Sequence, residues 1–175
     1  RPTVLDICSS AGLPVKGVGK VGDLYAGCGF ISSPHTEGNE ETMSRLLEEV
    51  RAGGEGILMA NLVDFDMLYG HRRDPHGFAR ALREVDDFLP HLLRAMGERD
   101  VLVIVSDHGC DPTFRGSDHT REYGIILLSG GMVRKGCDLG TRRTFADCGR
   151  TVADLLGLDA EGLDGESFAG EACAG

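Results

Sequence analysis

Two short apolar runs do most to limit what this chain can fold into: residues 56–63 (GILMANLV) and residues 101–105 (VLVIV). Both are too short for a buried helix and lack the alternation of a strand with one wet face. They read as strands buried in a parallel α/β sheet. Each run opens into a loop crowded with carboxylates and imidazoles, 64–74 (DFDMLYGHRRD) and 106–122 (SDHGCDPTFRGSDHTRE). Open α/β sheets bind their ligands at the carboxyl ends of such strands.

The rest of the pattern fits this class. Residues 3–11 read as a helix stopped by Gly12, and 13–19 (LPVKGVG) as a strand entering a Gly-rich turn. A loop spans 20–36. Asn39 is placed to cap a helix running to about Arg51, with Met43, Leu46, Leu47 and Val50 on one face. Residues 75–96 form a long amphipathic helix in which Pro90 predicts a kink or break. The run 101–105 looks like the most central strand. A further strand is expected at 123–128 and a last helix at 144–156, stopped by Gly157. The fold class is α/β, a partly parallel sheet flanked by helices.

Composition excludes several classes of function. With 18 basic and 28 acidic residues the net charge is −10, a poor match to nucleic acid or an anionic membrane. The apolar runs are too short to cross a bilayer, and no secretory leader opens the chain. The six cysteines are scattered without a CxxC pair, which suits reduced thiols and a cytoplasmic location. An acidic protein that handles phosphate needs metal ions or local Lys and Arg to offset repulsion.

A lone Asp or His in a loop is usually a cap, a turn former or a solvated charge. That reading is assigned to Asp74, Asp111, His35, His76 and His91, with Asp74 capping the helix that starts at Pro75. It fails for Asp66, His71, Asp107, His108 and His119 taken together, because five metal-capable groups gather at the ends of two buried strands. Oxygen and nitrogen donors of this kind suit Mn²⁺, Zn²⁺ or Fe²⁺ better than Ca²⁺. Neighbouring side chains at a strand end diverge, so Asp107 and His108 are expected to point apart and serve two adjacent metals.

DFDMLYGHRRD, SDHGCDPT and GSDHTRE resemble, in order and spacing, the motifs of the phosphopentomutase family, within the alkaline phosphatase superfamily of two-metal enzymes. GKVGDLYAG (19–27) is similar to a further family segment, and TFADCGRTVADLLG (144–157) to its last helix. The resemblance covers almost the whole chain. It implies an alkaline-phosphatase-like core and interconversion of ribose 1-phosphate and ribose 5-phosphate, or the deoxyribose equivalents, through a phosphothreonine. Asp66, His71 and His119 would bind one Mn²⁺, and Asp107 and His108 would contribute to the other, with Zn²⁺ also acceptable. Lys20 would contact the sugar phosphate. Arg72, Arg73 and Arg121 would grip phosphate, or instead pair with Asp64, Asp74 or Glu122. Ser117, Gly124-Ile125 and His35 depart from the family pattern without touching an expected ligand.

The same resemblance implies that residues 1–175 are the carboxy-terminal part of the catalytic core. A first strand with a metal-binding Asp, the Thr nucleophile and a cap domain are expected in a missing amino-terminal half. This chain alone is then expected to be inactive, with an incomplete sheet. Two alternatives stand beside this reading: another two-metal phosphatase or phosphoglycerate mutase of the superfamily, and a non-catalytic metal-binding remnant.

Overall fold

The computed structural model describes residues 2–173. The chain opens with α1 (Val4–Ser10), started by a capping box: the Thr3 hydroxyl accepts from the Asp6 amide at 3.3 Å, and the Asp6 carboxylate accepts from the Thr3 amide at 2.7 Å. Gly12, at φ +78°, ends the turn that follows. The hydrogen bonds from Thr3 hold the Asp6 carboxyl below its ordinary 3.8. A carboxyl lowered on folding contributes stability above its unfolded value and loses it as acid protonates the folded group. Thr3→Ala is therefore expected to cost about 1 kcal/mol at pH 7. In urea titrations the gap from the parent should shrink as the pH falls through and below 3.8.

All four strands expected from the sequence are present, the last shifted from 123–128 to 126–130, and β1 (Val15–Val18) pairs in parallel with β2 (Ile57–Ala60). The other edge of β1 is covered by residues 31–34, which run alongside it through Ile31 N–H to Val15 O, Gly17 N–H to Ser32 O and Gly19 N–H to Pro34 O. Within the 20–36 loop the chain also makes one short helix, α2 (Val21–Leu24). α3 (Asn39–Ala52) crosses back to β2 and ends at Gly53, φ +70°. Its cap corrects the sequence expectation. Gly38 is the N-cap, and Asn39 is the first helical residue. Asp64, reaching across from the end of β2, accepts the Asn39 amide at 2.8 Å, while Asn39 Oδ1 accepts the Asp64 amide at 3.1 Å.

A π-helical turn (Phe65–Gly70) leads from β2 into α4 (Pro75–Ala95). α4 runs unbroken through Pro90, so the expected break does not occur. Its start is capped by Asp74, whose Oδ1 accepts the Gly77 amide at 2.9 Å. Then come β3 (Val101–Val105) and β4 (Ile126–Gly130), paired antiparallel from Val101↔Gly130 to Val105↔Ile126. Here the expectation for β3 is corrected. Among the described residues β3 is hydrogen-bonded on one side only, to β4, and β2 on one side only, to β1. The side chains of β2 are half-buried throughout, and those of β3 are half-buried apart from exposed Val105.

The fold is closed by α5 (Ala146–Leu155) and a short α6 (Ala169–Ala172). One core joins Leu5, Cys8 and Val15 to Leu13, Tyr25, Phe30 and Ile57. A second gathers Phe168, Ala172 and Cys173 against Ile126 and Leu128 of β4 and Leu155 of α5. Burial raises the Cys8, Cys148 and Cys173 thiols above their ordinary range, keeping them in the uncharged form. All six cysteines are free. No helix among the described residues is long and apolar enough to cross a membrane.

Candidate metal centre

The first loop is shaped by its π-helical turn. Bonds five residues apart, His71 N–H to Asp66 O (2.9 Å) and Asp74 N–H to Tyr69 O (2.8 Å), widen the coil. In an α-helix, side chains five apart would point about 140° away from each other. The wider turn instead brings His71 Nε2 to 3.2 Å from Asp66 Oδ2.

The second loop is zipped at its base. Beyond β3 the Ser106 amide donates to Ile125 O, and the Ile125 amide to the Ser106 hydroxyl. Gly109 then bridges antiparallel to Thr120. A side chain on Gly109 would sit 2.8 Å from Thr120 O, and one on Gly124 2.7 Å from Ser106 O. Both positions stay bare so that the two arms can close. This zipper sets His108 and His119 with ring centroids 3.5 Å apart and 13° from parallel.

Four of the five expected ligands therefore meet. His119 Nε2 lies 3.3 Å from Asp66 Oδ1, and ligand atoms of Asp66, His108 and His119 all fall within 4.8 Å of one another. His71 joins through the second Asp66 oxygen and stacks on His119 at 5.1 Å. The backbone fixes which nitrogen faces inward. A carbonyl can only accept, so His71 Nδ1–H donates to Ser117 O and His108 Nδ1–H to Gly109 O at 3.1 Å. In the neutral rings Nε2 then carries the lone pair, the arrangement found in metal-bound histidines. A lone pair facing a carboxylate oxygen is repulsive unless a cation lies between them. The donor set thus fits a divalent cation on chemistry as well as distance.

Asp107 sits at the rim, its side chain 79% exposed against 31% for Asp66. Its Oδ1 lies 3.6 Å from His108 Nε2, so the two neighbours approach each other where divergence is the sequence expectation. The turn after β3 rotates the pair out of strand geometry. Lys20 follows β1 and reaches Met67 of the π-helical turn, Nζ to Sδ 3.2 Å. Arg72, Arg73 and Arg121 are exposed and make no ion pair among the described residues. Their suggested carboxylate partners are engaged elsewhere or left apart: Asp64 on α3, Asp74 on Gly77 and, at 3.9 Å, Arg80.

The remaining loop residues do structural work. Asp111 accepts from the Thr113 amide and hydroxyl, which hold its carboxyl below the usual range. His35 meets Asp23 at 3.1 Å, and His91 meets Arg94 at 3.2 Å. Ser117 acts through its carbonyl, so its side-chain departure from the family leaves the His71 contact unaffected. Cys110, which spacing did not single out, donates its thiol toward Asp66 Oδ1 at 3.8 Å. Burial first, then the nearby Asp66, pushes that thiol up.

Arg73 is held at φ +56°, a left-handed conformation that costs a side-chain-bearing residue roughly 1–2 kcal/mol. Relief of that cost outweighs the extra unfolded-state freedom of glycine. Arg73→Gly is expected to raise stability by about 0.5–1 kcal/mol in urea unfolding. A fall would show that the guanidinium contributes more to folding than its backbone costs.

A sequence model of the metalloenzyme superfamily matches residues 20–160, a span containing both loops. This chain belongs to the metalloenzyme superfamily. Curated relatives include the phosphopentomutase of Deinococcus radiodurans, 51% identical over 156 residues, covering 89% of this chain and 40% of that protein. The phosphopentomutase of Symbiobacterium thermophilum is 50% identical over 155 residues (89% and 39%), and that of Clostridioides difficile 46% over 158 residues (90% and 40%). The chain thus spans about two fifths of the length of the relatives it matches. Among solved structures, Leishmania mexicana phosphoglycerate mutase, crystallised at low cobalt concentration, superposes with a TM-score of 0.70 at 17% identity. It covers 93% of this chain and 38% of that one, which identifies a shared, partial alkaline-phosphatase-like fold. Within this metalloenzyme the convergent Asp66, His71, His108 and His119 form the candidate metal centre.

Proposed function

We propose that this chain is the carboxy-terminal part of the catalytic core of a phosphopentomutase, interconverting ribose 1-phosphate and ribose 5-phosphate or their deoxy equivalents. The observation that carries the reading is sequence identity near one half to phosphopentomutases across nine tenths of the chain. The site geometry supports it. Asp66, His71 and His119 would hold one Mn²⁺, and Asp107 and His108 would contribute to a second. When bound, such a pair neutralises phosphoryl oxygens and holds the attacking and leaving oxygens in line.

The residues of this chain do the rest. The Ser117 and Gly109 carbonyls keep His71 and His108 in the ligand tautomer. Arg72, Arg73 and Arg121, free of carboxylate partners among the described residues, are available for bidentate contacts with phosphate. Lys20, at the end of β1 and against the π-helical turn, supplies a point charge to the sugar phosphate. A threonine from the rest of the protein would carry the phosphate between the two sugar hydroxyls. The bare edges of β2 and β3, whose carboxyl ends feed the two loops, are where a strand from that part would join the two half-sheets. An acidic surface and a small phosphorylated substrate suit a cytoplasmic enzyme.

The test is turnover by the full-length protein containing this sequence, supplied with Mn²⁺ and ribose 1-phosphate. Formation of ribose 5-phosphate supports the reading. Release of inorganic phosphate alone would make it a phosphatase, and interconversion of phosphoglycerates would make it the mutase suggested by the shared fold. No activity on any of these would leave a metal-binding remnant.

A further inference from the structure

Asp66 touches both sides of the centre, yet among the described residues no histidine hydrogen bond holds its carboxylate. His71 Nε2 lies 3.2 Å from Oδ2 and His119 Nε2 3.3 Å from Oδ1, and His71, with its Nδ1 proton given to Ser117 O, offers a lone pair there. Among the described residues the only hydrogen bond to the Asp66 side chain comes from Cys110, Sγ to Oδ1 at 3.8 Å. Such a distance is at the long end for a thiol donor and too long for an oxygen donor in the same place.

Two features seat the thiol. The antiparallel bridge Gly109↔Thr120 puts Cys110 across from His119. On the other side Gly70, last residue of the π-helical turn, is buried and bare, and a Cβ there would lie 2.1 Å from Cys110 Sγ. The sulfur is therefore wedged between the two site loops, on the Gly70 side of Asp66. It lies outside the group formed by Asp66, His108 and His119.

We propose that Cys110 is a positioning residue of the metal centre. Its thiol holds the Asp66 carboxylate in the orientation that the metal uses, and Gly70 provides the space for it. This rests on reading the cluster as a metal centre. Partners one step behind the ligands commonly change metal affinity about 10- to 100-fold when removed.

The experiment is a Co²⁺ titration of the full-length protein containing this sequence, by calorimetry and visible absorption, for the parent and three variants. Cys110→Val fills similar space without a donor and is expected to weaken Co²⁺ binding about tenfold or more, as is Cys110→Ala. Cys110→Ser, which keeps a donor on a shorter bond, is expected to recover only part of that loss. Parent and Cys110→Ser should show no thiolate-to-cobalt charge-transfer band. Equal affinity of Cys110→Val and the parent would reduce Cys110 to packing and overturn the proposal. A charge-transfer band lost on Cys110→Ser would overturn it differently, by making the sulfur a ligand. If the parent takes up no cobalt, the metal-centre reading falls, and this proposal with it.

Discussion

Replacing His119 by alanine in the full-length enzyme is expected to lower kcat/KM for ribose 1-phosphate by about 10³-fold, or ~4 kcal/mol of transition-state stabilisation. His119 is the hub of the cluster. Its Nε2 faces Asp66 Oδ1 at 3.3 Å, and its ring stacks on His108 at 3.5 Å and on His71 at 5.1 Å. Alanine removes a ligand and also frees both neighbouring rings, so the loss should appear in metal affinity as well as in turnover. His119→Gln, which keeps a polar terminus, should lie between the two. His91→Ala is the control: that imidazole sits exposed on α4, paired with Arg94, and its removal should leave activity within twofold. If His119→Ala turns over substrate like the parent, the centre is not where catalysis happens.

The sequence alone points to the carboxyl ends of the apolar runs at 56–63 and 101–105 as the candidate site, because a short apolar strand opening into a carboxylate- and histidine-rich loop has few structural explanations. How those residues meet was not legible. The pairing of Asp66 with His71 depends on a π-helical turn, and a spacing of five carries no periodic signal for it. The contact of His108 with His119 depends on a zipper closed between Ser106 and Ile125 and between Gly109 and Thr120, helped by the Ser106 hydroxyl and by bare Gly109 and Gly124, and none of this has a periodic signal. β3 reads as central because VLVIV suits burial on both faces. The structure gives it one partner, so its composition reflects a sheet larger than the described strands. The cap of α3 was missed for a related reason. Asn39 has the right chemistry for a cap, but a carboxylate 25 residues away takes the role. Of the expected kink or break at Pro90, the break does not occur, because a long helix packed against its neighbours tolerates one missing amide.

The largest stability effect is expected where the sequence was least informative, at Phe168. Residues 157–173 show no clear periodicity, yet Phe168 is fully buried against Ile126, Leu128 and Leu155. Its amide donates at 3.0 Å to the Thr151 hydroxyl, which in turn donates at 2.7 Å to Asp147 O. The Arg142 guanidinium lies 5.3 Å above the ring and also approaches buried Asp147 at 3.6 Å. Phe168→Ala would leave a cavity beneath β4 and remove the platform under that guanidinium, at a cost of about 3–5 kcal/mol. Against a total stability of roughly 5–15 kcal/mol for a domain, that is enough to unfold much of the chain at 37 °C. Urea unfolding should show a lower midpoint with an unchanged slope, the mark of lost stability in an intact folded state. Phe145→Ala, which removes a ring that is 58% exposed, should fall within about 0.5 kcal/mol of the parent. The metal loops leave the carboxyl ends of β2 and β3, and the Phe168 cluster covers a face of β4. The fraction of Phe168→Ala that remains folded should therefore bind Co²⁺ like the parent. A matching loss of metal affinity would show instead that the β4 face and the metal centre fold and function as one unit.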